Sequence, residues 1–314
     1  MKKLLIVYNI CGISGRSNIQ GYISSLNSIL RQDIEDVEVA ISACMNSESD
    51  IEILKETFPD MLINSVEEIL PVSVTFNDTV QKCVSKMGEF EGYLFIDSGI
   101  DFEDKNTAIR ELYELFKSDN YGMVAARTDN DMGFDDWFRS DVVGDGLFKD
   151  GHMIVPVGTA VNLHVQIFSN EMFQYYGNVL PDIFAGQCME SVFSFLCAAM
   201  KSKWGVHKDI ILKHLVGMDG PSSGFLPTEW QMMGNVRWDH MFGTEESIID
   251  IIGRGTEFGM GYEENQSISI HRSSEFDQNG YCTNDKLKDY IRDNMFLRPS
   301  QFDYNNIKAV TILN

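Results

Sequence analysis

The sequence predicts an α/β fold with a mainly parallel central sheet and helices on both of its faces. Residues Tyr93 to Asp97 form an unbroken apolar run that ends in an acid, which is typical of a strand buried on both faces. Similar runs alternate with segments of helical periodicity from Lys3 to Ala126. The chain has 314 residues and is 44% hydrophobic, so it can bury a sizeable core.

Strands are predicted where a short apolar run is bounded by polar residues or glycines. Such runs fit the strands of an α/β sheet that helices cover. The predicted strands cover 3–8, 37–45, 60–64, 93–97, 122–126, 153–157, 161–168 and 209–216, with a last short strand at 307–313.

Helices are predicted where apolar residues recur every three or four positions. Ile19, Tyr22 and Leu26 form one such face behind a capping residue at Ser17. Trp204 follows an apolar helix and is assigned to packing at its end. The predicted helices cover 17–30, 50–58, 76–86, 106–117, 170–176, 188–202, 245–253 and 285–294.

The alternation breaks between Thr128 and Gly151, a stretch that contains seven Asp and four Gly. We interpret it as a long surface excursion, and Gly217 to Phe225 as a mobile glycine-rich loop. These breaks predict a first half at 1–127, a second half of the same domain at 128–225, and a C-terminal extension at 226–314 packed on the core.

The charge of the chain excludes some partners. Lys and Arg number 25 against 47 Asp and Glu, and a net charge of -22 disfavours binding to nucleic acid or anionic membranes. The six cysteines form no Cys-x-x-Cys pair and are interpreted as reduced thiols of a cytoplasmic protein. No apolar run approaches the eighteen residues of a transmembrane segment.

Acidic and small residues follow the central predicted strand. Ligands of open α/β sheets bind beyond the carboxyl ends of the strands. Asp97 and Asp101 are therefore placed to hold a divalent metal and, through it, a diphosphate, while Ser98 and Gly99 form the turn between them. The alternative is an acidic turn without function, because Asp, Ser and Gly are ordinary turn residues.

The order of these features resembles the GT-A glycosyltransferases, closest in layout to family 2, over roughly residues 1–225. Tyr8-Asn9 resembles the ending of the family's first strand, and Phe95-Ile96-Asp97-Ser98-Gly99 lies where the family has its Asp-x-Asp motif. Glu190, which opens a helix, lies where the family carries its catalytic acid. His214 before a glycine-rich loop resembles the metal-binding His of several such enzymes.

The resemblance implies a Rossmann-like GT-A fold, a nucleotide-sugar donor (UDP- or GDP-linked), an acceptor hydroxyl, and Mn²⁺ or Mg²⁺ as cofactor. It implies an inverting transfer with Glu190 as general base, and Trp137 or Trp230 could line the acceptor site. The implied metal ligands are Asp97, Asp101 and His214. The implied donor-binding residues are Tyr8, Asn9, Cys11, Ser42, Asn77, Asp97, Ser98, Gly99, Ser222 and Ser223.

Two departures keep alternatives open. Ser42-Ala43-Cys44 replaces the acidic end of the family's second strand, and Gly99 replaces the second acid of Asp-x-Asp. A retaining transferase on the same fold and a non-catalytic carbohydrate- or nucleotide-binding protein remain as alternatives. A nucleotidyltransferase is disfavoured because Arg16 is the one basic residue in the loop after the first strand.

Overall fold

The structure is a computed structural model, and it describes nine stretches of the chain. Within these stretches, strands and helices alternate as the sequence predicts. The described residues are 2–11, 18–44, 46–67, 70–129, 148–149, 152–154, 164–181, 193–215 and 285–296.

The strands and helices are numbered in chain order. The strands are β1 (Lys2–Cys11), β2 (Val37–Cys44), β3 (Leu62–Val66), β4 (Phe90–Ile96), β5 (Ile100–Asp101), β6 (Tyr121–Thr128), β7 (Phe148–Lys149), β8 (His152–Ile154), β9 (Val165–Ser169) and β10 (Lys203–His214). The helices are α1 (Ile19–Leu30), α2 (Glu48–Thr57), α3 (Val72–Met87), α4 (Ala108–Ser118), α5 (Asn170–Tyr176), α6 (Phe193–Ala199) and α7 (Lys286–Met295).

One sheet runs through the described residues in the order β3-β2-β1-β4-β9-β6-β10-β8-β7. The β3-β2-β1-β4 half is parallel throughout, as is the β6–β10 pair. Strand β9 lies antiparallel between β4 and β6, and the short β5 pairs antiparallel with the end of β10. The predicted α/β class with a mainly parallel sheet is confirmed, with β9 as an antiparallel insertion at its centre.

Helices α1 and α4 cover one face of the sheet. Tyr22 and Leu26 of α1 and Leu112 of α4 pack with Tyr8 and Ile10 of β1 in one buried apolar cluster. Successive residues of a strand point to opposite faces, so Asn9 and Cys11 lie on the face that α3 covers. The two faces of β1 therefore divide into an apolar layer and a polar layer near the carboxyl edge.

Several element boundaries differ from the prediction, and the two clearest differences lie at α3 and β10. Helix α3 begins at Val72 instead of near Phe76, because Pro71 occupies its N-cap position and fixes the entry to the first turn. Trp204 lies in β10 and does not end a helix, since β10 begins at Lys203 and pairs with β6 from there. Within the described residues, no helix has the length and apolar character needed to cross a bilayer.

Candidate functional site

Three side chains that could bind a metal converge at the carboxyl end of β4. They are Asp97, His164 and His214, and one nitrogen or oxygen atom of each lies within 4.8 Å of the others. All three residues are half-buried. The imidazole rings of the two histidines lie 4.6 Å apart between centroids, at an interplanar angle of 37°.

The antiparallel pairing of β4 with β9 places His164 opposite Asp97. Ile96 pairs with Val165, and the next backbone N–H, that of Asp97, donates to the His164 carbonyl at 2.8 Å. The Asp97 carboxylate accepts a hydrogen bond from the Ser98 N–H at 2.9 Å, and its other oxygen lies 3.4 Å from Nδ1 of His164. This carboxylate is therefore held toward the imidazole of His164.

His214 reaches the site because β10 crosses the turn that follows Asp97. Its backbone pairs with Ile100, and the N–H of Leu215 donates to the Gly99 carbonyl at 2.8 Å. The Asp129 carboxylate accepts from the N–H of His214 at 2.8 Å and so fixes the end of β10. Two independent segments thus hold His214 beside the β4 edge.

Gly99 has a structural reason to replace the acid expected there. Its φ is 79°, in the left-handed region where a residue with a Cβ is strained. That turn lets β5 come back to pair with β10. The third side chain of the group that could bind a metal is His164, which the sequence analysis did not predict.

Asp101 lies outside the group of three. Its carboxylate accepts a hydrogen bond from the Glu103 N–H at 2.8 Å, and its backbone pairs with Lys213. Its predicted role as a metal ligand stays a prediction. The group that the structure does assemble offers one carboxylate and two imidazoles. Such ligands suit a first-row transition metal and leave some of its coordination positions open for other ligands.

A second, polar layer lies under α3 at the ends of β1 and β2. Asn9 pairs in register with Ser42, and both are buried. The amide of Asn9 donates to the carbonyls of Val7 and Ile96, each at 3.1 Å, so it ties β1 to β4. Cys11 pairs with Cys44 one step nearer the edge. Three predicted donor-binding residues, Asn9, Cys11 and Ser42, therefore lie together at this edge, with Cys44 beside them.

The other predicted donor-binding residues in the described part of the chain have structural contacts. Tyr8 is 1% exposed, lies in the apolar layer, and burial raises the pKa of its hydroxyl. Asn77 donates to the Leu180 carbonyl at 2.8 Å and accepts from the N–H groups of Val179 and Leu180. It thus anchors the segment that precedes Glu190. Glu190, Ser222 and Ser223 lie outside the described residues, as do Trp137 and Trp230.

Comparison with solved structures identifies the fold. A mannosyltransferase from Pyrobaculum calidifontis, in complex with GDP-Man and Mn²⁺, matches with a TM-score of 0.50 and 13% identity over 75% of this chain and 64% of that chain. TarS from S. aureus in complex with UDP matches at 14% identity over 67% of this chain and 60% of that chain, with a TM-score of 0.47. This chain therefore spans less than two thirds of either matched structure.

No protein-family profile matches the chain, and no curated protein is similar to it in sequence. The structural match nevertheless agrees with the resemblance drawn from Tyr8-Asn9, Asp97 and His214. The chain has the GT-A type of α/β fold, as the matched mannosyltransferase has.

Proposed function

We propose that this chain is a metal-dependent glycosyltransferase that moves a sugar from a UDP- or GDP-linked donor to an acceptor hydroxyl. The observation that carries the proposal is the convergence of Asp97, His164 and His214 at the carboxyl edge of β4 in a GT-A type fold. Ligands of such sheets bind at this edge. The GDP-Man and Mn²⁺ of the Pyrobaculum mannosyltransferase support the same class of donor here.

The three side chains that could bind the metal favour Mn²⁺ over Mg²⁺. Magnesium prefers six oxygen ligands, whereas imidazole nitrogens favour transition metals. Two histidines and one carboxylate would hold Mn²⁺, and its remaining positions could take diphosphate oxygens. A bound divalent ion would neutralise the negative charge that develops on the leaving diphosphate.

The chain's own residues would then orient the donor and remove a proton. The polar layer of Asn9 and Ser42 lies next to the metal group along the same edge and suits the nucleoside end of the donor. Glu190 is proposed to accept the proton of the acceptor hydroxyl as the new C–O bond forms. Support for Glu190 comes from the sequence resemblance, and an inverting, single-displacement transfer follows from this role.

Donor and metal binding test the proposal. Calorimetric titration of UDP and GDP should give binding that needs Mn²⁺ and is weaker with Mg²⁺. His164→Gln should abolish the Mn²⁺ effect, whereas His207→Gln, a change of a half-buried histidine in β10 outside the group, should preserve it. Binding that is indifferent to EDTA and to His164→Gln would contradict the metal site.

Turnover separates an enzyme from a binding protein. Hydrolysis of a nucleotide sugar in the presence of Mn²⁺ should be measurable, and Glu190→Gln should slow transfer with little change in donor affinity. Binding without any turnover, across a panel of donors and acceptors, would instead favour a non-catalytic nucleotide-binding protein. The anomeric configuration of the product, read by NMR, distinguishes inversion from retention.

A further inference from the structure

Two cysteines face each other at the carboxyl ends of β1 and β2. Cys11 and Cys44 are the last residues of these strands and are register partners in a parallel pair, so their side chains lie on the same face of the sheet. Neighbouring strands are about 4.8 Å apart, within the separation of about 4.4–6.8 Å between Cα atoms that a disulfide spans. Neither cysteine is part of a disulfide in this structure.

The environment makes these two thiols unequal. Sγ of Cys44 accepts a hydrogen bond from the Leu70 N–H at 3.3 Å. A hydrogen bond between the thiols lowers the pKa of Cys44 and raises that of Cys11, and burial raises the latter further. Cys44 is 5% exposed and Cys11 is more accessible, so a small oxidant can approach the pair from the Cys11 side.

The remaining cysteines of the described residues contrast with this pair. Cys83 of α3 and Cys197 of α6 are buried at 0% and 2% exposure, and burial raises the pKa of each to about 12. A protonated, buried thiol reacts slowly, because the thiolate is the nucleophile. Cys83 therefore serves as a matched control for the chemistry of the pair.

We propose that Cys11 and Cys44 form a reversible disulfide, with hydrogen peroxide as oxidant, and that this disulfide weakens nucleotide binding. The thiolate of Cys44 attacks peroxide: an S–O bond forms, the O–O bond breaks, and the leaving hydroxide takes up the proton that Cys44 released on ionising, giving water. The sulfur of Cys11 then attacks Cys44: the S–S bond forms, the S–O bond breaks, and a second water leaves with the Cys11 proton. Two thiols lose two electrons in total, and a dithiol reverses the change.

The effect on binding rests on the proposed function. Cys11 and Cys44 each lie two residues beyond Asn9 and Ser42, the polar layer proposed for the nucleoside end of the donor. Drawing the two sulfurs into a covalent bond shifts both strand ends. It also changes the sulfur that accepts from Leu70, just ahead of α3. We expect the dissociation constant for the nucleotide to rise about tenfold, a change of about 1.4 kcal/mol.

Peptide mapping of peroxide-treated protein tests the disulfide directly. A cross-linked peptide joining Cys11 to Cys44 should form in wild type and in Cys83→Ala, disappear with dithiothreitol, and be absent in Cys11→Ser and Cys11→Ala. Circular dichroism establishes that each variant is folded. Failure to find this cross-link in folded wild type, or a cross-link to Cys83 instead, would overturn the proposal.

Calorimetry with UDP and GDP in the presence of Mn²⁺ tests the switch. Oxidation should weaken nucleotide binding by wild type, and dithiothreitol should restore the affinity of the reduced protein. In Cys11→Ser the affinity should be the same before and after peroxide treatment. Equal loss of binding in oxidised Cys11→Ser would overturn the switch. Reduced wild type that binds neither nucleotide would contradict the proposed function and the switch together, whereas the peptide map decides the disulfide without reference to nucleotide.

Discussion

The two halves of the sheet contribute in different ways to the group of Asp97, His164 and His214 that could bind a metal. The parallel half, β3-β2-β1-β4, supplies Asp97 from the end of a buried strand. The other half, β9-β6-β10-β8-β7, contains parallel and antiparallel pairs and supplies both histidines: His164 directly precedes β9, and His214 ends β10. The place of Asp97 follows from the parallel strands alone, whereas the places of His164 and His214 depend on antiparallel pairings with β4 and β5.

The largest expected effect concerns whether the two halves fold as one unit. Phe95 of β4 is 1% exposed, and its ring centroid lies 5.3 Å from that of Phe76. Phe168 of β9 is 0% exposed, and its ring centroid lies 5.2 Å from that of Phe193. Substituting either by Ala should lower the free energy of unfolding by about 3–5 kcal/mol. Urea denaturation followed by circular dichroism checks this, and separate transitions for the two variants would show that the halves unfold independently.

The next effect distinguishes the ligands that each half supplies. Asp97→Asn and His214→Gln should each lower Mn²⁺-dependent donor hydrolysis by about 100-fold or more, because even residues that only orient metal ligands contribute about 10–100-fold. Asp104→Asn removes an exposed acid from the loop after β5 and should leave the rate unchanged. If only one of the two variants, Asp97→Asn or His214→Gln, lost donor hydrolysis, the metal would not be shared between the two halves of the sheet.

The turn that joins the halves should give a smaller effect. Gly99→Ala forces a side chain into a φ of 79° and should cost about 1–2 kcal/mol of stability. It should also weaken Mn²⁺ binding, since the Gly99 carbonyl accepts from Leu215 next to His214. Gly88→Ala is the control: its φ is 82°, an added Cβ meets nothing within 4 Å, and α3 ends there. Thermal melts with and without Mn²⁺ separate strain from metal binding, and equal Mn²⁺ shifts in both variants would argue against the turn's role.

The smallest effects should come from surface ion pairs, one in each half. Lys2 pairs with Glu38 and Lys203 pairs with Asp119. Each Lys→Ala change should cost about 0–1 kcal/mol, because water screens such pairs. Raising the salt concentration in denaturant titrations should reduce the difference from wild type. A loss of several kcal/mol in the free energy of unfolding at either site would show that the pair contributes more to stability than a solvent-screened pair does.

Much of the parallel half was predictable from the sequence, because a strand covered by helices on both faces leaves a continuous apolar run. The Tyr93 to Asp97 run was predicted as a strand and lies largely within β4, and Asp97 and His214 come together as two of the three grouped side chains. Helix α1 ends at Leu30 as predicted, since its apolar positions repeat at helical spacing, but the predicted cap was wrong: the N-cap is Asn18, whose side chain accepts from the Gly21 N–H, and not Ser17.

His164 could not be predicted in the same way. The run Leu163-His164-Val165-Gln166-Ile167 reads like any apolar strand with a single histidine. Its position beside Asp97 depends on β9 entering the sheet antiparallel to β4. Strand β9 is buried along its whole length, as its parallel neighbours are, so its apolar run does not reveal its direction. Gly99 could not be interpreted from the sequence either. It was noted there as a missing acid, whereas in the structure it forms a turn with φ in the left-handed region.

The most direct measurement is an anomalous difference map of crystals grown with Mn²⁺ and UDP or GDP. The account predicts a manganese peak coordinated by Asp97, His164 and His214, with diphosphate oxygens in the remaining positions. A peak elsewhere, or nucleotide bound with these three side chains remote from any ion, would contradict it.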